Sequence, residues 1–219
     1  GVTYLDPLMK VGAQLSKGKK DPDTKQRCKT ALERYGLGVE AEEMYPFELS
    51  GGMARRVLIA SAVTEKPRLI IADEPTPGLD ARAAKRILSH FRELADEGAG
   101  MLFITHDLEQ ALSVADEVVV FYAGETIEKA KAEDFGDAAN LRHPYTRALW
   151  YAMPEHGFRA SEGTQPYAGN VRKGCPYTGQ CPVCREECRT KDQIPLMKYR
   201  DGEVRCLYPD EIKKSGAEL

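Results

Sequence analysis

The sequence predicts an α/β fold in which parallel strands are joined by a helical crossover. Two short apolar runs, residues 68–72 and 101–105, start 33 positions apart with an amphipathic stretch between them. This spacing suits a right-handed β-α-β unit, because parallel strands need a crossover of a dozen or more residues. A helical region precedes this unit. After residue 134 the composition becomes aromatic, then rich in proline and glycine, and five of the six cysteines lie there.

Composition indicates an ordinary globular protein of one or two domains. The 219 residues are 42% hydrophobic and 30% charged, with a net charge of −3, so the chain has no basic footprint for nucleic acid. No run of 18 apolar residues predicts a membrane span, and the first ten residues lack the pattern of a secretion signal. Six cysteines without such a signal favour metal or redox chemistry over a disulfide framework.

The front of the chain is predicted to be a small helical subdomain. Residues 24–35 carry apolar side chains at helical spacing and stop at Gly36, and a second short helix is expected over 40–44. Cys28 lies on the apolar face of the first helix and is expected to be a core residue.

The middle of the chain alternates helices and strands. A helix from Ser50 to about residue 65 leads into the continuous apolar run 68–72, which predicts a strand buried on both faces. An amphipathic helix over 81–97 then leads to the strand at 101–105. After a helix over 108–115, residues 117–122 and 125–128 are predicted to form a hairpin.

The first candidate site is the Ser50-Gly51-Gly52 turn. A serine at this place normally caps a helix and does nothing more. Glycines beside it also let backbone N–H groups approach an anion closely, with the helix dipole favouring negative charge. Alone the turn is a weak signal, but an apolar strand ending in Asp73-Glu74 follows 22 positions after Gly51, which strengthens it.

The Asp73-Glu74 pair lies at the carboxyl end of a predicted parallel strand, where ligands bind in such sheets. A solvated strand end is the simpler interpretation. Adjacent strand residues point to opposite sides, so different roles are expected for the two carboxylates. His106 follows the second apolar strand at the matching end. Asp80 precedes the amphipathic helix, where it is expected at least to act as its N-cap.

These motifs together resemble the ATP-binding cassette (ABC) ATPases. LSGGM at 49–53 is similar to the signature loop of that family, LIIADE at 69–74 to its Walker B strand, PTPGLD at 75–80 to its D-loop, and Thr105-His106-Asp107 to its switch-histidine segment. The resemblance implies that the signature residues contact ATP held by a partner cassette: Ser50, Gly51, Gly52 and Met53. It also implies that Asp73 binds Mg²⁺, Glu74 is the general base, His106 senses the γ-phosphate and Asp80 bridges two cassettes.

One family motif does not occur in the 219 residues, the phosphate-cradling G-x-x-x-x-G-K-[ST] of Walker A. The chain therefore resembles a cassette fragment of the P-loop NTPase type, with a helical subdomain and a parallel-sheet half. We expect the missing part either to be lost or to be supplied by another chain, and we expect this chain alone to be inactive as an ATPase without Walker A. Without its strand, the sheet is expected to have an exposed apolar gap.

The C-terminal segment resembles the extension of the oligopeptide, dipeptide and nickel uptake branch. HPYT at 143–146 is followed by Cys175, Cys181, Cys188 and Cys206 in a C-x5-C-x6-C-x17-C pattern. In this branch such cysteines bind a [4Fe–4S] cluster in some members, so we expect these four sulfurs to converge on one centre, with Cys184 turned away. Zinc is the alternative, because Cys181 and Cys184 have knuckle spacing, and reduced structural cysteines are the third interpretation.

The resemblance implies a three-part chain and a transport role. The expected parts are residues 1–48 (post-Q-loop segment and helical subdomain), 49–133 (ATPase core) and 134–219 (cysteine-bearing extension). The intact protein would use ATP and Mg²⁺ to drive import of peptides, or nickel, at the cytoplasmic face of the membrane. Its partners would be a second cassette, transmembrane permease subunits and, indirectly, an extracytoplasmic substrate-binding protein. The alternative is a non-catalytic module that lends its signature loop to the ATP site of a partner.

Overall fold

The structure is a computed structural model that describes residues 4–17, 21–159, 163–166, 173–209 and 211. The chain forms two compact units, Gly1–Val114 and Ala115–Leu219. No helix in the described part of the chain has the length and apolar character needed to cross a membrane.

The first unit begins with the predicted helical region. It contains helices α1 (Val11–Leu15), α2 (Pro22–Arg34) and α3 (Gly51–Val63), with 3₁₀ turns at Val39–Glu43 and Pro46–Glu48. Asp21 caps α2 by accepting a hydrogen bond from the Thr24 N–H at 2.8 Å. Cys28 is only 2% exposed in the core between α2 and α3, which confirms it as a core residue.

The second part of this unit is the predicted β-α-β crossover. Strand β1 (Leu69–Asp73), helix α4 (Ala81–Asp96) and strand β2 (Gly100–Ile104) follow one another, and α5 (Leu108–Leu112) comes after β2. The strands pair in parallel, and the register runs from Leu69 opposite Gly100 to Asp73 opposite Ile104. The two strands therefore end at the same edge, which places Asp73 and the residues after Ile104 side by side.

The prediction that residues 68–72 are buried on both faces is wrong. Ile70 and Ala72 are buried against the core, whereas the alternate side chains along both strands are 45 to 63% exposed: Leu69, Ile71, Leu102 and Ile104. The continuous apolar run could not reveal this, because it has the same composition whether one face or both faces are covered. The exposed apolar gap expected where the Walker A strand is missing concerns the edge of the sheet and stays a prediction.

The second unit is built on an antiparallel sheet. Its strands β3 (Glu117–Tyr122), β4 (Glu125–Lys131), β5 (Met197–Tyr199) and β6 (Gly202–Val204) lie in the order β3-β4-β6-β5. The predicted hairpin joins β3 and β4 through Ala123 and Gly124, both with positive φ, as a tight two-residue turn requires. Helices α6 (Pro144–Tyr151) and α7 (Glu186–Thr190) complete the unit. The hairpin that the sequence assigns to the ATPase core thus lies in this unit, and the predicted boundaries at 48 and 133 stay predictions.

A buried ion network holds the start of α6 against the sheet. The Arg142 side chain is 1% exposed and lies 3.5 Å from Glu128 and 3.0 Å from Asp134. It also pairs with Asp201 in the β5–β6 turn. The Glu128 carboxylate accepts from the backbone N–H groups of Arg142 and His143, each at 2.8 Å. One carboxylate on β4 therefore fixes the chain where the HPYT segment begins.

Candidate functional site

The signature turn forms an open helix N-terminus. Ser50 caps α3 by accepting a hydrogen bond from the Met53 N–H at 3.2 Å, and Ser50 and Gly51 are exposed. No atom lies within 4 Å of the place where a Cβ on Gly51 would be. A Cβ on Gly52 would lie 3.6 Å from the carbonyl oxygen of Gly78. The signature turn therefore keeps free space for an anion and lies directly beside the turn that contains Gly78.

Glu74 stands one residue beyond β1 in an uncommon backbone conformation. Its φ is +44°, in the left-handed region that non-glycine residues rarely adopt. Its N–H donates to the Ile104 carbonyl at 2.9 Å, which extends the β1–β2 ladder by one bond. Its carbonyl accepts a hydrogen bond from the Arg55 guanidinium on α3. The turn at Glu74 is therefore held by hydrogen bonds with both strand β2 and helix α3.

The Glu74 carboxylate and His106 form a direct pair. Glu74 Oε1 accepts from the His106 N–H at 3.0 Å and lies 2.7 Å from His106 Nδ1. This hydrogen bond, with the negative charge of Glu74, raises the pKa of His106 above its ordinary value. The other oxygen, Glu74 Oε2, is buried and has no partner among the described protein groups. Because buried carboxylate oxygens are normally hydrogen-bonded, Oε2 is an unsatisfied acceptor of this site.

The other acidic residues of the site serve at helix and strand ends. The Asp73 side chain is exposed at the end of β1. Asp80 caps α4 by accepting from the Ala83 N–H at 2.8 Å, and this backbone hydrogen bond lowers the pKa of Asp80. Asp107 caps α5 through the Gln110 N–H at 3.0 Å. The capping interpretation of Asp80 therefore holds, and its bridging role stays a prediction.

An open cleft of about 250 Å³ lies between α3 and β1, and Arg55, Asp73 and Glu74 are among the residues that line it. Asp73, Glu74 and His106 meet at one edge of the sheet, as the sequence predicts from their positions after parallel strands. The signature turn lies at the start of α3 and is not part of the cleft wall. The donor set fits Mg²⁺, because carboxylate oxygens are the ligands this ion prefers, and Asp73 is free to supply one.

The four cysteines predicted as ligands line one small cavity in the second unit. The volume of this cavity is about 10 Å³, and Cys175, Cys181, Cys188 and Cys206 all contribute to its wall. Cys184 is not part of this wall, and its thiol lies 3.6 Å from the Arg185 carbonyl oxygen. All six cysteines are free thiols.

The thiols share a cavity but not a coordination sphere. Within the described ranges, no three His, Cys, Asp or Glu side chains are arranged to hold a metal ion. Burial raises the pKa of Cys175 to about 11 and those of Cys181 and Cys206 to about 12, so these groups are protonated at neutral pH. A metal would have to displace these protons and draw the sulfurs together, because the thiolate is the ligand form.

Three contacts of these sites were not foreseen from the sequence. Arg55 reaches the Glu74 carbonyl, Glu128 anchors the start of α6, and the buried His143 places Nε2 3.8 Å from the Cys175 sulfur. Arg55 belongs to no motif that the sequence analysis identified, and Glu128 has the position of an ordinary strand residue. Only the HPYT segment gave a signal, and that signal did not indicate a sulfur as the partner of His143.

Two families match this chain, each over a different part. Residues 3–77 match the family described as ABC transporter, and residues 127–188 match the C-terminal region of oligopeptide/dipeptide transporters. The first match contains the signature turn, Asp73 and Glu74 but ends before Asp80 and His106. The second contains four of the five C-terminal cysteines and ends before Cys206.

Curated relatives match almost the whole chain. The oligopeptide transport ATP-binding protein AppD of Bacillus subtilis is 34% identical over 96% of this chain and 68% of its own length. The dipeptide transport ATP-binding protein DppD of Escherichia coli is 33% identical over 95% of this chain and 67% of its own length. The oligopeptide transport ATP-binding protein OppD of Salmonella typhimurium is 35% identical over 96% of this chain and 66% of its own length. The chain thus spans about two thirds of the length of these relatives.

Solved structures confirm the predicted fold class. An ATP-binding subunit of an ABC transporter superposes with a TM-score of 0.55 at 28% identity, over 60% of this chain and 56% of that one. A bacterial ABC transporter cassette solved as a dimer gives a TM-score of 0.52 at 26% identity, over 58% of this chain and 59% of that cassette. The fold, the motifs and the relatives agree, and this chain belongs to the family of ATP-binding proteins of oligopeptide and dipeptide ABC transporters.

Proposed function

We propose that this chain is the ATP-hydrolysing part of a subunit that drives peptide import. The observation that carries the proposal is the Glu74–His106 pair at the strand edge. Its carboxylate keeps one buried oxygen, Oε2, without a partner among the described protein groups, and Asp73 lies beside it on the same edge. A carboxylate held at one oxygen and free at the other is suited to accept a proton from an attacking water.

In this mechanism Glu74 is the general base. His106 holds Oε1 through its backbone N–H and its ring, so Oε2 is the oxygen that receives the proton. The raised pKa of His106 favours its protonated form, which would place a positive charge next to the γ-phosphate. Asp73 would hold Mg²⁺, which would supply positive charge beside the phosphate oxygens.

The signature turn is assigned to a second nucleotide. Ser50, Gly51, Gly52 and Met53 would contact the γ-phosphate of an ATP bound by a partner cassette, since the N-terminus of α3 is exposed and has room for an anion. Asp80, at the start of α4 and next to the Gly78 turn, would bridge the two cassettes. The partner is a second cassette, identical or homologous.

The substrate class is proposed from the relatives. Their names specify transport of oligopeptides and dipeptides, so peptides are the proposed cargo and nickel is the alternative that the sequence resemblance also allows. Membrane permease subunits would carry the peptide, after its delivery by an extracytoplasmic binding protein. The chain would lie peripherally at the cytoplasmic face.

The test is MgATP-driven uptake of labelled peptide into vesicles that contain the permeases and the whole subunit. We expect uptake that depends on MgATP and stops with Glu74→Gln. Uptake without ATP turnover at this subunit would overturn the proposal. Turnover that survives Glu74→Gln but not a change at Ser50 would favour the alternative, in which the chain only lends its signature turn to a partner.

We also propose that Cys175, Cys181, Cys188 and Cys206 are the ligands of an iron–sulfur cluster. Four thiols around one cavity support it, because iron–sulfur clusters take thiolate ligands. Protein purified without oxygen should be brown and contain iron and sulfide. Cys175→Ser should lose the colour, whereas Cys184→Ser should keep it. A colourless protein with one zinc per chain would favour the zinc alternative, and a metal-free protein would leave reduced structural cysteines.

A further inference from the structure

The signature helix α3 reaches the Glu74 backbone through one side chain. The guanidinium of Arg55 donates to the Glu74 carbonyl across 19 positions of sequence. Its neighbour Arg56 does not reach Glu74 and donates instead to the carbonyls of Gly52, at 3.3 Å, and of Tyr35 and Gly36, both at 3.1 Å. Two adjacent arginines of one helix therefore have separate tasks, and only Arg55 contacts the turn that carries the carboxylate.

The conformation of Glu74 needs external support. A non-glycine residue at a φ of +44° is strained, and this conformation persists only where its surroundings fix it. The Glu74 N–H is fixed by Ile104, and its Oε1 by His106. The carbonyl is the remaining backbone group, and Arg55 supplies its partner. A charged donor is the stronger kind of partner for a carbonyl oxygen.

We propose that Arg55 is a positioning residue, through which the signature helix holds the Glu74 backbone turn and thereby directs the carboxylate to His106. Arg55 does not touch the reacting atoms. Ser50 caps α3, and Arg55 lies on this helix five positions later. A nucleotide that binds at the signature turn and moves α3 would therefore also move the Glu74 carbonyl. This gives each cassette a direct link between the signature turn and its own base. The inference rests on the proposed role of Glu74.

The test uses NMR of the 219-residue chain and needs no nucleotide. The ring Nδ1 and backbone N–H signals of His106 report its two hydrogen bonds to Glu74, and Glu74→Ala gives their positions when both bonds are lost. Arg55→Met keeps the apolar stem on the cleft wall and removes the guanidinium. We expect both His106 signals in Arg55→Met to move most of the way to the Glu74→Ala positions, and Arg55→Lys to restore part of the shift.

Arg56→Met is the matched control and should leave the His106 signals unchanged. His106 signals in Arg55→Met that coincide with wild type would overturn the inference. An equal shift in Arg56→Met would also overturn it, because the effect would then belong to α3 in general. If Arg55→Met does not fold, Arg55→Lys decides, since its His106 signals must then lie between the wild-type and the Glu74→Ala positions. The NMR experiment does not measure ATP hydrolysis. A failure of the inference about Arg55 can therefore be distinguished from a failure of the proposed function.

Discussion

Replacing Glu74 with glutamine should remove the base and keep the shape of the site. Glutamine retains an oxygen at the Oε1 position, which accepts from the His106 backbone N–H at 3.0 Å and lies 2.7 Å from its ring nitrogen. The new amide group takes the place of Oε2, the buried oxygen without a described protein partner. No existing hydrogen bond is lost, so the stability of the fold should change by less than about 1 kcal/mol.

The catalytic loss should be much larger. General-base catalysis contributes about 10²- to 10⁴-fold, which corresponds to about 2.7 to 5.4 kcal/mol of the barrier at 1.36 kcal/mol per tenfold. In the whole transporter, Glu74→Gln should therefore lower kcat for ATP hydrolysis by this factor while ATP binding persists. The pKa of His106, which the Glu74 hydrogen bond raises in the wild type, should fall toward its ordinary value in an NMR titration.

The control for this experiment is Glu109→Gln, which makes the same chemical change on the exposed surface of α5. It should hydrolyse ATP like the wild type. The reasoning would be refuted if Glu74→Gln hydrolysed ATP within about threefold of the wild type, because a general base cannot be removed at so small a cost.

Three further outcomes are expected. Ser50→Arg should abolish ATP hydrolysis by filling the open signature turn even with Glu74 intact, whereas Ser50→Thr, which keeps the capping hydroxyl, should retain it. His90 is buried, and burial lowers its pKa from 6.5 to about 4, so the unfolded state binds more protons in this range. Denaturant titrations should therefore show stability that is present above pH 6.5 and falls toward pH 4, and His90→Asn should flatten this fall. Arg142→Met should destabilise the second unit by about 3 to 5 kcal/mol in denaturant titrations, because it leaves the buried Glu128 without its cation. A loss below about 1 kcal/mol would contradict this account.

Much of the first unit followed from local chemistry. Ser50 and Asp80 were identified as helix caps because a side-chain oxygen ahead of an amphipathic stretch satisfies free N–H groups at the helix start. The parallel pairing of β1 and β2 followed from the length of the segment between them. With both strands ending at one edge, the meeting of Glu74 and His106 was also foreseeable.

The exposed face of β1 and β2 was not foreseeable, since an apolar run has the same letters whether one side or both are covered. The assignment of the β3–β4 hairpin to the second unit depends on its pairing with β6, a strand more than 70 positions later. Such long-range pairings leave no local pattern.

The sequence by itself determined the family, the motifs and the residue types that the chemistry needs, because caps, strand ends and motif spacings are local properties of the chain. The tertiary structure decided how the side chains are held. It directs Arg55 to the Glu74 carbonyl, leaves Glu74 Oε2 without a described protein partner, and joins Glu128 to the start of α6. These contacts join residues far apart in the chain, so they depend on packing geometry that no local pattern encodes.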